Sequence, residues 1–280
     1  MVLLLLEFVL FDPLYRTKGK YTPVCTIKPV EPLPKIKHAV KITKNRLNQY
    51  HLHVPLDIVP VSENQAKGKI ISLDPGVRTF QTGYDPAGKV IEFGGGCDRD
   101  KLLNLHQRID RLQSAKKLGP LFIHHPNPNI FLYLGNNSKT RYHLQKKILT
   151  LYQRIKNMVR DSHCKIAKYL CSHYETVIIP EFHTSSMIKK EKRILSKAST
   201  RQTLIWSHYK FRNRLVQKSR EYKTKVIIVN EEYTSKTCGL CGVLNKKLGD
   251  SKIFTCPSCK YTIDRDINGA RNILIKTLSR

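Results

Sequence analysis

Acidic residues are what this sequence has least of for its size: twenty-one Asp and Glu stand against fifty Lys and Arg, a formal net charge of +29. Such a surplus exceeds what solubility requires and attracts polyanions, so nucleic acid is the expected partner and a neutral-ligand protein is disfavoured. Long apolar runs are also lacking. No stretch of about 18 apolar residues exists to span a bilayer, which leaves an anionic membrane surface as the weaker reading. The opening MVLLLLEFVLF contains Glu7, has no Lys or Arg before it and no small-residue cleavage site after it. It therefore reads as a buried strand rather than a targeting signal. Internal repeats are absent too. What is present, 40% hydrophobic residues in a chain of 280, suffices to fill one large or two medium domains.

Half of the eight cysteines have no ligand spacing: Cys25, Cys97, Cys164 and Cys171 read as ordinary thiols. The other half do. Cys238-Gly-Leu-Cys241 and Cys256-Pro-Ser-Cys259 are separated by fourteen residues, and each C-x-x-C turn aims two sulfurs at one point, so two turns satisfy tetrahedral Zn²⁺. Redox dithiols come singly beside a βαβ unit, not in facing pairs. Four thiolates leave no open coordination position, so this zinc would be structural.

Along the chain, residues 1–65 are proline-rich and weakly periodic and suit strands and loops, with a hairpin around Lys44 and Asn45. The apolar run Ile70, Ile71, Leu73 ends on Asp74 and the turn-forming Pro75-Gly76, a buried strand delivering a carboxylate to its own end. VRTFQTGY and KVIEF complete a three-strand meander. Helical spacing marks 101–117, the Pro- and Asn-rich segment 119–138 breaks it, and a long amphipathic pattern runs from Lys139 to about His173. ETVIIPEF and KVIIVNEE read as two more buried strands, 204–222 as one basic helix, and the chain closes on a helix from about Asp266.

Thirteen basic and two acidic residues lie between Lys189 and Lys225, interleaved with Trp206, Tyr209, Phe211 and Tyr222. Singly these are as readily solvated helix faces; together they suit phosphate contacts, with Lys189, Lys190, Lys210, Arg212, Arg214 and, beyond the cluster, Lys236 as candidates. In a chain so poor in carboxylates, Asp74, Glu181, Glu231, Glu232, Asp264 and Asp266 all stand at the ends of apolar strands or beside the cysteines. Any one alone could be a cap or turn residue. Several converging at the strand ends of one mixed sheet form a hard-oxygen site of the kind Mg²⁺ prefers, and two such ions about 4 Å apart are a standard device for phosphodiester displacement.

The segments ISLDPGVRTF, VIIPEFHTSSM, VNEEYTSKTCGLCG and CPSCKYTIDRDINGARNIL resemble the transposon-encoded TnpB nucleases, and most closely their eukaryotic and giant-virus relatives, the Fanzor proteins. The likeness runs from about Lys37 to the C-terminus. It implies an α/β fold: an RNase H-like (RuvC-like) mixed sheet with flanking helices, over 66–235 and 263–280. A zinc ribbon (236–262) would be inserted before the last helix, and a partial N-terminal β-rich region (1–65) would contact guide and target. It also implies RNA-guided, Mg²⁺-dependent cleavage of DNA, with two catalytic ions, structural Zn²⁺, and DNA and a guide RNA as partners. The family's first catalytic Asp falls on Asp74, which would bridge the ions. The last falls on Asp266, with Asp264 its near rival. Where the family places its middle Glu this sequence has Pro180, so Glu181 is one step off, on the opposite face of a strand. Fanzor-like members put the missing acid before the Tyr-Thr-Ser-Lys-Thr-Cys stretch, which points to Glu231, with Glu232 as a substitute. Relatives also carry a helical recognition region and a fuller β-barrel ahead of the nuclease. With only residues 1–65 there, much of that apparatus is expected to be missing, and unaided guide-directed cutting is not expected. The rival expectation is a non-catalytic nucleic-acid-binding remnant of a mobile element.

Overall fold

The computed structural model describes residues 11–17, 20–23, 32–57, 59–61, 66–117, 121–124, 131–134, 138–182, 184, 196–230, 234–246, 248–249 and 251–279. Its centre is a five-stranded mixed sheet built from β5 (Ile70–Pro75), β6 (Gln81–Tyr84), β7 (Val90–Phe93), β10 (Thr176–Pro180) and β11 (Lys225–Val229), in the order β11-β10-β5-β6-β7. The meander β5-β6-β7 is antiparallel, whereas β10 and β11 run parallel to β5. This is the RNase H-like mixed sheet that the sequence leads one to expect. Register places Ser72 opposite Ile178 and Pro180 opposite Val229, so the ends of β5, β10 and β11 that follow Leu73, Ile179 and Ile228 come out on one edge.

Strand alternation gives each face of the sheet its own core. Ile71, Leu73, Val177 and Ile179 point to one face, where they bury against α1 (Cys97–Lys117), α2 (Ser138–His173), α3 (Lys197–Trp206) and α4 (His208–Tyr222). Leu102 and Ile109 of α1, and Ile148, Ile155, Val159 and Leu170 of α2, supply the helical stripes of that core. Ile70, Ile178, Ile227 and Val229 point to the other face and meet Ile273 and Leu274 of α5 (Arg265–Leu278). The Ser72 hydroxyl fastens that second layer, donating to the carbonyl of Ala270 at 2.7 Å.

Two local readings need correction, and the segment 119–138, which does end the helix before it, holds more than a break. The basic segment 204–222 belongs to two helices, because Ser207 between α3 and α4 takes a left-handed conformation (φ 49°, ψ 57°). In one continuous helix Trp206 and His208 would point about 200° apart; the break lets both be buried against Phe80, the first stacked and the second tilted, with ring centroids 4.6 and 5.0 Å away. The segment 119–138 contains a second signal beside its turn residues. Leu121–His124 (β8) and Phe131–Leu134 (β9) pair antiparallel, flanking the Pro-Asn-Pro-Asn sequence. The early hairpin pairs β3 (Lys41–Lys44) with β4 (Tyr50–His53), but its turn centres on Asn45–Gln49. There Asn45 Oδ1 accepts from the Leu47 and Gln49 amides and Asn48 is left-handed. β1 (Phe11–Thr17) and β2 (Lys20–Pro23) form one more two-stranded sheet. The opening residues 1–10 lie outside the described residues. No helix among the described residues is long and apolar enough to cross a membrane.

Candidate active site and metal centres

Asp74 is the fifth residue of β5, two after Ser72 and so on the same face, which is the face α5 covers. Its carboxylate lies directly over Gly269. A Cβ on Gly269 would sit 2.5 Å from Asp74 Oδ2 and 3.0 Å from its Cγ, closer than any side chain tolerates. Glycine in a helix interior is unfavourable by about 1 kcal/mol relative to alanine; here it makes room for the carboxylate. One turn earlier on the same helix is Asp266, whose Oδ2 lies 3.9 Å from the position a Cβ on Gly76 would take. The crossing of β5 with the first turns of α5 thus sets Asp74 against Gly269 and the Asp266 carboxylate near Gly76, two residues beyond Asp74.

Asp264 does different work. It is the N-cap of α5, its Oδ1 accepting from the amides of Asp266 (2.9 Å) and Ile267 (3.4 Å), while its Oδ2 faces Lys252 Nζ at 3.4 Å. The Asp266 carboxylate caps no amide among the described residues, and burial, followed by the neighbouring charge of Asp264, raises its pKa against the opposing pull of Arg265, Lys252 and Arg78. A carboxylate raised by burial and crowded by a second carboxylate is one whose charge a divalent cation would relieve.

The middle acid divides differently. Pro180 is buried and shares parity with Ile178 on the α5 face, so the exposed Glu181 has the opposite parity. Glu181 donates its amide to the Val229 carbonyl at 2.9 Å, holding the two strand ends together. Val229 faces α5, and the Asn230 carbonyl accepts from Lys276 of that helix at 3.3 Å. Glu231 and Glu232 lie outside the described residues, as do Lys189 and Lys190.

The cysteines form a compact cluster. Cys238 and Cys256 are buried, Cys241 and Cys259 exposed, and all four sulfurs lie within 4.8 Å of one another. The separations Cys238–Cys259 and Cys241–Cys256 are 3.7 and 3.5 Å, against about 3.8 Å for a regular tetrahedron with Zn–S bonds of about 2.3 Å. The donor set and its size therefore fit zinc. Both turns are built alike: the residue after each second cysteine, Gly242 or Lys260, is left-handed (φ 76° and 58°). Amide-to-carbonyl bonds Cys238→Val243 and Cys256→Tyr261, both 2.9 Å, close them.

The cysteine unit is bolted to the carboxylate helix by two buried asparagines of α5. Asn268 accepts from the Gly239 amide (3.0 Å) and donates to the Thr237 carbonyl (2.7 Å), and Asn272 donates to the carbonyls of Thr234 (2.8 Å) and Thr237 (2.7 Å). Neither asparagine, nor Gly269, stands out in the sequence as functional. The signals were there: a glycine inside a helical pattern, and asparagines four apart on one helical stripe.

The basic candidates separate in space. Lys210 and Arg214 are exposed one turn apart on α4 and line a large cleft. Arg212 turns away, half-buried, its guanidinium 5.4 Å from the Tyr209 ring centroid, beside Pro75 and Pro180. Lys236 is exposed next to the cysteine unit.

With this geometry in hand, the comparisons are specific. Residues 208–273 match the family described as Cas12f1-like, TNB domain. The chain is 29% identical over 275 residues to the TnpB-like protein L79 of Acanthamoeba polyphaga mimivirus, covering 96% of this chain and 49% of that protein. It is 25% identical over 246 residues to the CRISPR-associated endodeoxyribonuclease Cas12f1 of Sulfoacidibacillus thermotolerans, covering 85% and 53%. A cryo-EM structure of a CRISPR-Cas12f ternary complex shares the fold, with a TM-score of 0.51 and 18% identity over 84% of this chain and 44% of that one. The chain spans about half the length of the curated relatives it matches.

Proposed function

We propose that this chain, similar to TnpB-like proteins and to Cas12f1 over most of its length, is a metal-dependent DNA endonuclease unit, guided by RNA as part of a transposon-associated system. The observation that supports this is the crossing of the end of β5 with the start of α5, where Asp74 lies against Gly269 and the Asp266 carboxylate approaches Gly76, two residues beyond Asp74. Asp74, Asp266 and Glu231 would hold two Mg²⁺ ions; when bound, such ions polarise a phosphodiester and help form the attacking oxygen nucleophile. The protein's own share is positional. β5 and α5 present their carboxylates from rigid elements, Ser72 fixes the crossing, and Asp264 caps the helix so that Asp266 is left for the metal. Residues 66–235 and 263–280 would be the nuclease domain and 236–262 the inserted ribbon on one structural zinc, with 1–65 contacting guide and target.

The test is cleavage of single- and double-stranded DNA by protein purified with its bound RNA, in Mg²⁺ against EDTA. Asp74→Asn and Asp266→Asn should each reduce cutting at least a hundredfold while leaving nucleic-acid affinity within about threefold. Wild-type protein that binds but never cuts would instead make the chain a binding remnant. The zinc assignment has its own readout: about one zinc per chain in the purified protein, lost in Cys238→Ser together with order in the C-terminal region.

A further inference from the structure

A cleft of about 970 Å³ opens among α1, α2, α3 and α4, the helices that cover the side of the sheet away from α5. Among the described residues its walls carry Lys156 and Arg160 of α2, Arg201 of α3, and Lys210 and Arg214 of α4, five cations against one carboxylate, Asp110. That carboxylate is already engaged by Arg201 (Nη1 to Oδ2, 2.5 Å). The excess is felt on the floor. Arg201 adds to burial in depressing the pKa of His106, and Arg214 and Lys210 do so at the buried His163, held at about 4.

Between these cations the cleft has an apolar patch, set among neutral polar side chains such as Gln113, Thr200 and Asn213. Ile155, Val159 and Ile205 are buried at its base, while Leu204 and Tyr152 remain 55% and 40% exposed. Tyr152 is held in place, its hydroxyl accepting from Gln113 Nε2 at 3.1 Å and its ring meeting the His106 ring edge-on at 6.0 Å. An oriented exposed aromatic beside a row of cations is the combination that stacks bases and follows a phosphate backbone. A duplex turns its base faces inward and has nothing to offer the apolar patch around Tyr152 and Leu204; a single strand does.

We propose that this cleft is a binding groove for a single-stranded nucleic acid, with phosphates against Lys156, Arg160, Lys210 and Arg214 and bases over Tyr152 and Leu204. The proposal rests on the nucleic-acid-binding reading above and adds a place for one strand, remote from the Asp74–Asp266 face. From Tyr152 to His163 the α2 wall rises about 16 Å, enough for roughly five nucleotides at about 3.4 Å each.

The test is fluorescence anisotropy with short oligo-dT and oligo-U over a salt series, in Ca²⁺ in place of Mg²⁺ so that nothing is cut. The variants are Lys156→Ala/Arg214→Ala, Tyr152→Ala, and a charge-matched control, Lys67→Ala/Lys89→Ala, at exposed lysines outside the cleft. The groove double variant should bind at least tenfold more weakly, with a log–log salt slope shallower by about 1.4, two contacts at about 0.7 each. Tyr152→Ala should weaken binding about fivefold or more without changing the slope, and the control should stay within threefold. Thermal melts guard against misfolding. Independently, 4-thiouridine oligonucleotides should crosslink wild-type protein within peptides containing Tyr152 or Lys156. A stronger effect with oligo-U or with oligo-dT identifies the strand as RNA or DNA. If wild type binds but the groove variants match the control, or crosslinks fall only elsewhere, the groove is overturned and the nucleic-acid reading stands. If wild type binds neither oligonucleotide, both are overturned.

Discussion

Asp74 meets Gly269 at a distance that only a missing side chain permits, and this gives a residue-scale prediction. Gly269→Ala adds a methyl group where Asp74 Oδ2 now lies and must displace the carboxylate, since the alternative is to move a helix that Ser72 pins to the sheet. The expected outcome is a loss of Mg²⁺-dependent cutting of at least tenfold with a weaker response to Mg²⁺ titration. The fall in thermal stability should be smaller than that of a core deletion, because alanine favours the helix. A second prediction concerns the histidines around Phe80. Burial depresses His163 to about 4 and His208 to about 3 from an ordinary 6.5. A depressed folded-state pKa means that the unfolded chain binds the extra protons. Their contribution to stability is therefore complete above about 6.5 and is lost as pH falls from there toward 4 and then 3, by on the order of a few kcal/mol in total. Denaturant melts between pH 7 and pH 4 should show this loss, and His163→Phe should reduce its pH-dependent part.

At the scale of elements, α5 stands out because it serves two sites with different stripes. Asp266, Gly269 and Ile273 face the sheet, whereas Asn268 and Asn272 face the cysteine unit. Removing the Asn272 amide leaves the buried Thr234 carbonyl without that donor, while the Thr237 carbonyl keeps Asn268. A cost of about 1–3 kcal/mol follows. Asn272→Ala should lower the melting temperature and speed zinc release to a chromogenic chelator, and loosening of the ribbon should carry over to cutting. Element identity was well marked in the sequence where apolar spacing was long or strictly alternating, as in β5, β10, β11, α2 and α5. It was poorly marked where tertiary packing decided the matter. Nothing local in Ile205-Trp206-Ser207-His208 announces a left-handed break; burying both rings against Phe80 requires it.

At the scale of the whole molecule, the +29 charge resolves into separate places with separate consequences. Composition could show the excess and the cluster 189–225, but only the packing of α1, α2, α3 and α4 shows that Lys156 and Arg160, far away in sequence, face Lys210 and Arg214 across one cleft. The same packing separates two arginines that in sequence are nearly adjacent. Arg214 belongs to the cleft. Arg212, two residues earlier and about 200° around the helix, lies over Tyr209 beside Pro75 and Pro180, at the strand ends next to Asp74. Removing either should therefore do different things. Arg214→Ala should weaken single-strand binding and flatten its salt slope by about 0.7, with cutting reduced only in proportion to occupancy. Arg212→Ala should leave that slope nearly unchanged and lower the rate of Mg²⁺-dependent cutting at saturating DNA, because it alters the edge of the sheet that carries the carboxylates. Single-turnover cleavage and salt-dependent anisotropy, measured on the same two variants, separate the cases. Indistinguishable variants would mean that the two arginines act as one diffuse positive surface.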